Sequence, residues 1–247
     1  TAKPFGVNIP LNNPRAPQLL DIAYEARIPV MVASQGGPRE HLARFRGIGT
    51  KWLHVVASVE HAKKAEAAGV DALVVDGAEA GGHPPPGEVT TLVLVRRVVK
   101  AVRLPVVASG GIADGAGVAA MLALGAEAVQ LGTRFIATNE ANADPRYKQM
   151  LVDTMANDIV YSNLFTGVHG NYLAPSITAA GLDPNALPEA DKSKMNFGSG
   201  GNMEKKAWKD IWGAGQGVGQ IQDIVPVADV VAKLKGEYDE AKRRLAA

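Results

Sequence analysis

The side chain best placed for chemistry is His83, at the end of the run Asp71-Ala-Leu-Val-Val-Asp76-Gly77-Ala-Glu-Ala-Gly81-Gly82-His83. An apolar stretch, Ala72 to Val75, ends there in an acid and a glycine-rich turn. Glycine adds no packing and costs backbone entropy, so such a turn suits close approach of main chain to a ligand. The imidazole is then held beside that ligand, and with an unperturbed pKa near 6.5 it is suited to taking a proton at neutral pH. Two later apolar runs end in comparable glycines, Gly110-Gly111 and Gly132-Thr133. Their amides, with the Thr133 hydroxyl, form a cradle for a phosphate. Taken singly, each pair is equally explained as a tight strand-to-helix turn; two at adjacent strand ends favour phosphate.

The other histidines read differently. His41 and His61 fall in helical stretches among charged neighbours and are expected to be solvated, while His54 lies within a strand as a core residue. The segment Thr166-Gly-Val-His169-Gly-Asn-Tyr172 offers His169 and Tyr172 as substrate contacts, with a plain loop role as the alternative for His169. No two histidines have helical metal-ligand spacing, so no metal is expected. The glycines at 213, 215, 217 and 219 do not spell G-x-G-x-x-G and follow no strand; they are expected to let a helix approach the site, with Gln216 as a polar contact. Gly-x-Ser-x-Gly is missing, against an α/β-hydrolase. Trp208 and Trp212, four apart, read as a packing stripe.

These residues need a scaffold that lines strand ends along one rim. Strands are predicted at Phe5–Ile9, Pro29–Ala33, Trp52–Ala57, Ala72–Asp76, Pro105–Ser109 and Ala128–Gly132. Amphipathic helices fall between them at Ala16–Ala26, Pro38–Arg44, Val59–Ala68, Val89–Val102 and Ala116–Leu124, with Gly69 and Gly125 as enders. Near-continuous apolar strands alternating with helices imply α/β architecture with a parallel sheet. The expected fold is the (β/α)8 TIM-barrel type. Six strands are visible where eight are needed, and the phosphate loops of such barrels follow strands seven and eight, so the chain reads as lacking its first two βα units, roughly 60 residues. Open edges on such a sheet invite pairing with another chain, a homodimer for example. Residues 1–136 form the expected barrel core, 137–206 a smaller, mostly helical lid that includes the loop Gly198–Asn202, and 207–247 a segment returning to the barrel with a charged C-terminal helix, Val225–Leu245.

Composition narrows the classes. With 26 basic and 25 acidic residues, net charge is +1, which leaves no footprint for nucleic acid or an anionic membrane. Cysteine is absent, removing disulfides, thiolate metal sites and a thiol nucleophile. No apolar run approaches ~18 residues, and the first residues do not read as a signal peptide. A soluble, cytoplasmic enzyme is expected.

Four motifs in order, Pro4-Phe-Gly-Val-Asn8, Gly77–His83, Pro105-Val-Val-Ala-Ser-Gly-Gly-Ile112 and Gln130-Leu-Gly-Thr-Arg-Phe135, carry a resemblance. The chain resembles the FMN-dependent nitronate monooxygenases, formerly 2-nitropropane dioxygenases, and is similar to their relatives, the NADH:quinone reductases and flavin-dependent enoyl-ACP reductases. The resemblance implies FMN bound by Asn8, Asp76, Gly81, Gly110, Gly111, Gln130, Leu131, Gly132 and Thr133. It implies that His83 takes the α-proton of a nitroalkane, and that nitronate and O2 yield a carbonyl compound and nitrite. Asp76 departs from a common pattern with glutamine there, and Val55 stands where some relatives have lysine. The loop that lies against the flavin after the family's first strand has no counterpart in this sequence. The alternatives are an NAD(P)H-dependent flavin reductase, favoured by the turn from His83 through Pro84-Pro-Pro86, and a phosphate-binding barrel without enzyme activity.

Overall fold

The computed structural model describes residues 3–84, 89–190 and 209–246. Six strands, β1 (Gly6–Pro10), β2 (Val30–Ser34), β3 (Lys51–Val56), β4 (Ala72–Asp76), β5 (Val106–Ser109) and β6 (Ala128–Gln130), pair in parallel in chain order. Between them run α1 (Ala16–Glu25), α2 (Arg39–Arg46), α3 (Val59–Ala68), α4 (Thr91–Val99) and α5 (Gly115–Ala123). Each βα repeat adds one parallel neighbour, which is what short right-handed crossovers enforce.

The sheet buries one face under these helices. Met31, Ala33, Trp52, Val56, Leu73, Val75, Val106 and Ala108 point into a single apolar core with Leu20, Phe45, Leu94 and Val98 from the helices. Phe45 meets Trp52 edge to face at 5.4 Å; truncating Trp52 to alanine is expected to cost about 3–5 kcal/mol. On the opposite face Val30, Val32, Leu53 and Val55 are only half-buried. His54 belongs to the buried face, as read from the sequence, and its Nδ1 has no hydrogen-bond partner among the described residues. His41, expected to be solvated, is half-buried and stacks on Trp52 at 6.0 Å.

Local chemistry sets the helix ends. Ser58 accepts the His61 amide to start α3, and Gly69 closes it in the left-handed conformation at φ +93°. Asp114 accepts the Gly117 amide at 2.7 Å to start α5. The start of α4 is held from a distance: the Glu79 carboxylate accepts the Thr91 amide at 2.8 Å and its hydroxyl at 2.9 Å. Thus the glycine-rich turn after β4 is fastened to the helix that follows it.

Beyond β6 come α6 (Thr133–Ile136) and α7 (Pro145–Asp153), then strands β7 (Ile159–Ser162) and β8 (Gly170–Leu173), α8 (Ala174–Ala179) and the C-terminal α9 (Val227–Ala246). The segment expected to be mostly helical also contains β7 and β8, which pair antiparallel; Ile159-Val-Tyr161 is β-branched and aromatic, the composition that favours strands. The predicted sixth strand ran to Gly132, but that residue instead precedes α6 as its N-cap. Helix α9 crosses α5 at Gly115, where a Cβ would lie 2.2 Å from the Leu234 carbonyl oxygen. The loop Gly198–Asn202, Trp208, Pro85 and Pro86 lie outside the described residues. Among the described residues, no helix is long and apolar enough to cross a membrane.

Candidate active site

Parallel register places three polar side chains side by side at the carboxyl ends of neighbouring strands: Asp76 pairs with Ser109, and Ser109 with Gln130. Carboxyl ends are where parallel α/β sheets bind ligands. Burial pushes the Asp76 carboxyl above its ordinary range, opposed by a hydrogen bond from Ser109. A carboxyl shifted in this direction is more readily protonated, and then resembles an amide in offering both a donor and an acceptor.

After each strand the chain turns on glycine. Gly110 and Gly111 have φ +110° and +69°, a region L side chains avoid, and a Cβ on Gly110 would lie 2.7 Å from the Thr91 hydroxyl. These turns open on a cavity of about 770 Å³ lined by Asn8, Asp76, Gly81, His83, Gly110, Gly111, Gln130, Leu131, Gly132 and Thr133. Every position expected to hold the cofactor, and the candidate base, therefore lines one cavity. His61, read as solvated, is exposed and also lines it, as do Gln35 and Tyr147.

The glycines at 213, 215 and 217 line the same cavity. They bring a short 3-10 helix, Gln216–Gln220, to the site as expected, and just ahead of it main chain threads between two turns. The Gly215 amide donates to the Thr133 hydroxyl oxygen at 3.0 Å and the Gln216 amide to the Glu79 carbonyl at 2.8 Å. A hydroxyl that accepts the Gly215 amide keeps its own proton to donate, so Thr133 remains able to serve an anion.

The three substrate contacts expected from sequence are placed elsewhere. Gln216 is exposed and outside the cavity lining. His169 is half-buried and stacks on Tyr161 at 4.7 Å, while its neighbour Val168 lines the cavity in its place. Tyr172 sits in the wholly buried strand β8 and approaches the Thr166 hydroxyl at 3.4 Å. Strand alternation and packing, invisible in a loop-like sequence, explain the placement.

His83 is held by the residues around β8. Its Nε2 lies 2.9 Å from the Thr166 hydroxyl oxygen, and burial lowers its pKa from the ordinary histidine value. The turn leading to it is braced by Asn171, whose side-chain amide donates to the carbonyls of Ala78 at 2.9 Å and Ala80 at 2.7 Å. The Asn171 main-chain amide also donates to the Gly82 carbonyl at 2.9 Å. Sequence reasoning missed this role; the one signal was an asparagine embedded in the otherwise apolar run of β8. Tyr147 was missed as well. Its hydroxyl donates to the Gly213 carbonyl and its ring stacks on buried Trp212 at 5.1 Å, while burial pushes its pKa up to about 12, keeping the phenol neutral.

The donor set suits FMN. A Cβ on Gly132 would meet no protein atom within 4 Å, so an open cradle lies against the amides of Gly132 and Thr133. Arg134 beside it directs its guanidinium away, to the Ala137 carbonyl at 3.1 Å and the Asp223 carboxylate at 2.5 Å. With that guanidinium engaged, the groups left to face an anion at this turn are main-chain amides and the Thr133 hydroxyl. Among the described residues, no group of three acidic or histidine side chains could hold a metal ion.

Comparison with known proteins agrees with this geometry. A family model described as Nitronate monooxygenase matches residues 1–237. The chain is 34% identical over 252 residues to a nitronate monooxygenase of Paraburkholderia phytofirmans, covering 93% of this chain and 66% of that protein. It is 36% identical over 168 residues to the (3aS,4S,5R,7aS)-5-hydroxy-7a-methyl-1-oxo-octahydro-1H-indene-4-carboxyl-CoA dehydrogenase of Rhodococcus jostii, covering 68% and 47%. The chain thus spans about two thirds and about half of the lengths of these relatives. Among solved structures it is similar to FabK from Thermotoga maritima, with a TM-score of 0.81 and 34% identity over 100% of this chain and 79% of that one. It is also similar to nitroalkane oxidase from Streptomyces ansochromogenes, with a TM-score of 0.77 and 27% identity over 99% and 83%.

Proposed function

We propose that this chain, which belongs to the nitronate monooxygenase family, holds FMN across the ends of β4, β5 and β6 and oxidises alkyl nitronates and nitroalkanes with O2 to carbonyl compounds and nitrite. The observation that carries this reading is the convergence on one cavity of His83 and all nine positions expected to hold the cofactor. FMN, when bound, supplies redox chemistry between the nitronate and O2. The chain supplies the rest. Amides of Gly110, Gly111, Gly132 and Thr133, with the Thr133 hydroxyl, hold the phosphate; Asn8, Asp76 and Gln130 orient the ring; Gly81 and Leu131 allow its close approach. His83 takes the α-proton of a neutral nitroalkane, and burial, by favouring neutral imidazole, keeps it ready to do so. The described residues 137–190 belong to the lid in this reading, the rest of it, 191–206, lying outside the described residues, and an exposed edge of the six-stranded sheet is the surface through which a homodimer would pair.

A second reading keeps FMN and changes the electron donor: NAD(P)H reduces the flavin, and a quinone or enoyl thioester accepts the electrons. The likeness to FabK and to a carboxyl-CoA dehydrogenase favours it. Anaerobic titration of the flavin absorbance separates the two. Bleaching by a nitronate without NADH supports the monooxygenase; bleaching by NADH alone supports the reductase. A colourless preparation that takes up no added FMN sinks both.

A further inference from the structure

We propose that Thr166 is a positioning residue for His83: it fixes the ring as the Nε2–H tautomer, which makes Nδ1 the basic nitrogen. The Thr166 hydroxyl oxygen lies 2.9 Å from His83 Nε2 and 3.0 Å from the Val168 carbonyl oxygen. A carbonyl oxygen carries no proton, so at that distance the contact is attractive only if Thr166 supplies one. Threonine has a single hydroxyl proton. With it directed at Val168, the contact with His83 must be made by a proton on Nε2.

The rest of the network is consistent with this direction. Tyr172 Oη lies 3.4 Å from the same oxygen, where either atom can be the donor, and in the proposed arrangement the two lone pairs of Thr166 accept from His83 and Tyr172. Thr166 is 6% exposed and Tyr172 fully buried, so water does not compete freely for these positions. A hydroxyl fastened on both sides also fixes the plane of the ring, and proton abstraction depends on that orientation. The connection between β7 and β8 thereby reaches across to control a residue in the turn after β4. The catalytic consequence rests on the reading of His83 as the base; the tautomer assignment does not.

The test is 15N NMR of the full chain loaded with FMN and labelled at histidine, with the His83 signals identified by their loss in His83→Ala. Above the ring's pKa, long-range 1H–15N correlations are expected to show Nε2 protonated and Nδ1 unprotonated. Thr166→Val, which keeps the shape and removes the acceptor, is expected to shift His83 toward a mixture of tautomers, and Thr166→Ser to restore the original pattern. Turnover of a neutral nitroalkane should fall about tenfold or more in Thr166→Val with KM little changed, while turnover of the preformed nitronate stays within about twofold. An Nδ1–H ring in the unaltered protein overturns the proposal without any variant, as does a His83 spectrum that Thr166→Val leaves unchanged. A tautomer shift without loss of nitroalkane turnover supports the assignment and counts against His83 as the base.

Discussion

A Cβ on Gly215 would stand 2.5 Å from the Glu79 carbonyl oxygen, so main chain meets main chain where the C-terminal segment crosses the turn after β4. Gly215→Ala must force the two segments apart and is expected to cost about 1–3 kcal/mol of stability, with loss of bound flavin. Gly132→Ala makes the useful contrast. A Cβ there meets no protein atom within 4 Å and φ is −104°, so stability should change by less than about 0.5 kcal/mol. Its methyl group would enter the phosphate cradle, and FMN affinity should drop about tenfold, equivalent to ~1.4 kcal/mol. Urea denaturation and flavin fluorescence titration measure the two effects separately. Equal FMN affinity in Gly132→Ala and the unaltered chain would place the phosphate elsewhere.

Asn171→Ala removes the side-chain donations to Ala78 and Ala80 and leaves one half-buried and one buried carbonyl without that partner. Each orphaned group costs about 1–3 kcal/mol, so a loss of about 2–4 kcal/mol is expected. The turn it braces carries Gly81 and His83, so flavin affinity should fall in parallel. A denaturation midpoint unchanged from the parent would show that water replaces the amide without penalty.

Much of this organisation was legible in the residues themselves. The strands and helices of the βα repeat came from apolar runs separated by amphipathic stretches, with Gly69 ending α3 as residue chemistry requires; the Ser58 cap at its start was not singled out. The turns that open on the cavity were legible because glycine at a strand end is informative by what it lacks, whereas Asn8, Asp76 and Gln130 came from the resemblance. The β7–β8 pair was not, since four-residue strands give too short a period to distinguish from loop. Nor were the contacts that join distant segments, Asn171 to Ala78 and Ala80, Gly215 to Thr133, and Thr166 to His83. They depend on tertiary placement, which local pattern does not encode. His169, Tyr172 and Gln216 were chosen for polarity near a glycine-rich stretch, and packing placed them outside the cavity lining.

Asp76 should make stability depend on pH in an unusual direction. Burial raises its folded-state pKa above the ordinary carboxylate value, so the folded protein binds more protons than the unfolded chain in that window. Its contribution is present below the unfolded pKa and is lost as pH rises through the folded one. Asp76→Asn removes the buried charge at neutral pH and is expected to raise the melting temperature by roughly 2–4 °C at pH 7. The gap should close as pH falls toward about 4. A gap of constant size across that range would show that the carboxyl does not titrate as its burial implies.

His83 carries the most direct prediction about the reaction. Burial lowers its pKa, so neutral imidazole is the form present at pH 7 and the base is lost only on acidification. For a neutral nitroalkane, kcat/KM should fall on an acid limb whose midpoint lies below about 6.5, the unperturbed histidine value. The preformed nitronate needs no deprotonation and should lack that limb. The same shift affects folding: a histidine with a depressed folded-state pKa makes the protein less stable as pH falls below the unfolded value toward the folded one. His83→Ala should reduce nitroalkane turnover by about 10²–10⁴-fold while partly keeping nitronate turnover, measured as nitrite released. Equal retention of both activities would show that the α-proton leaves by another route and that this imidazole is not the base.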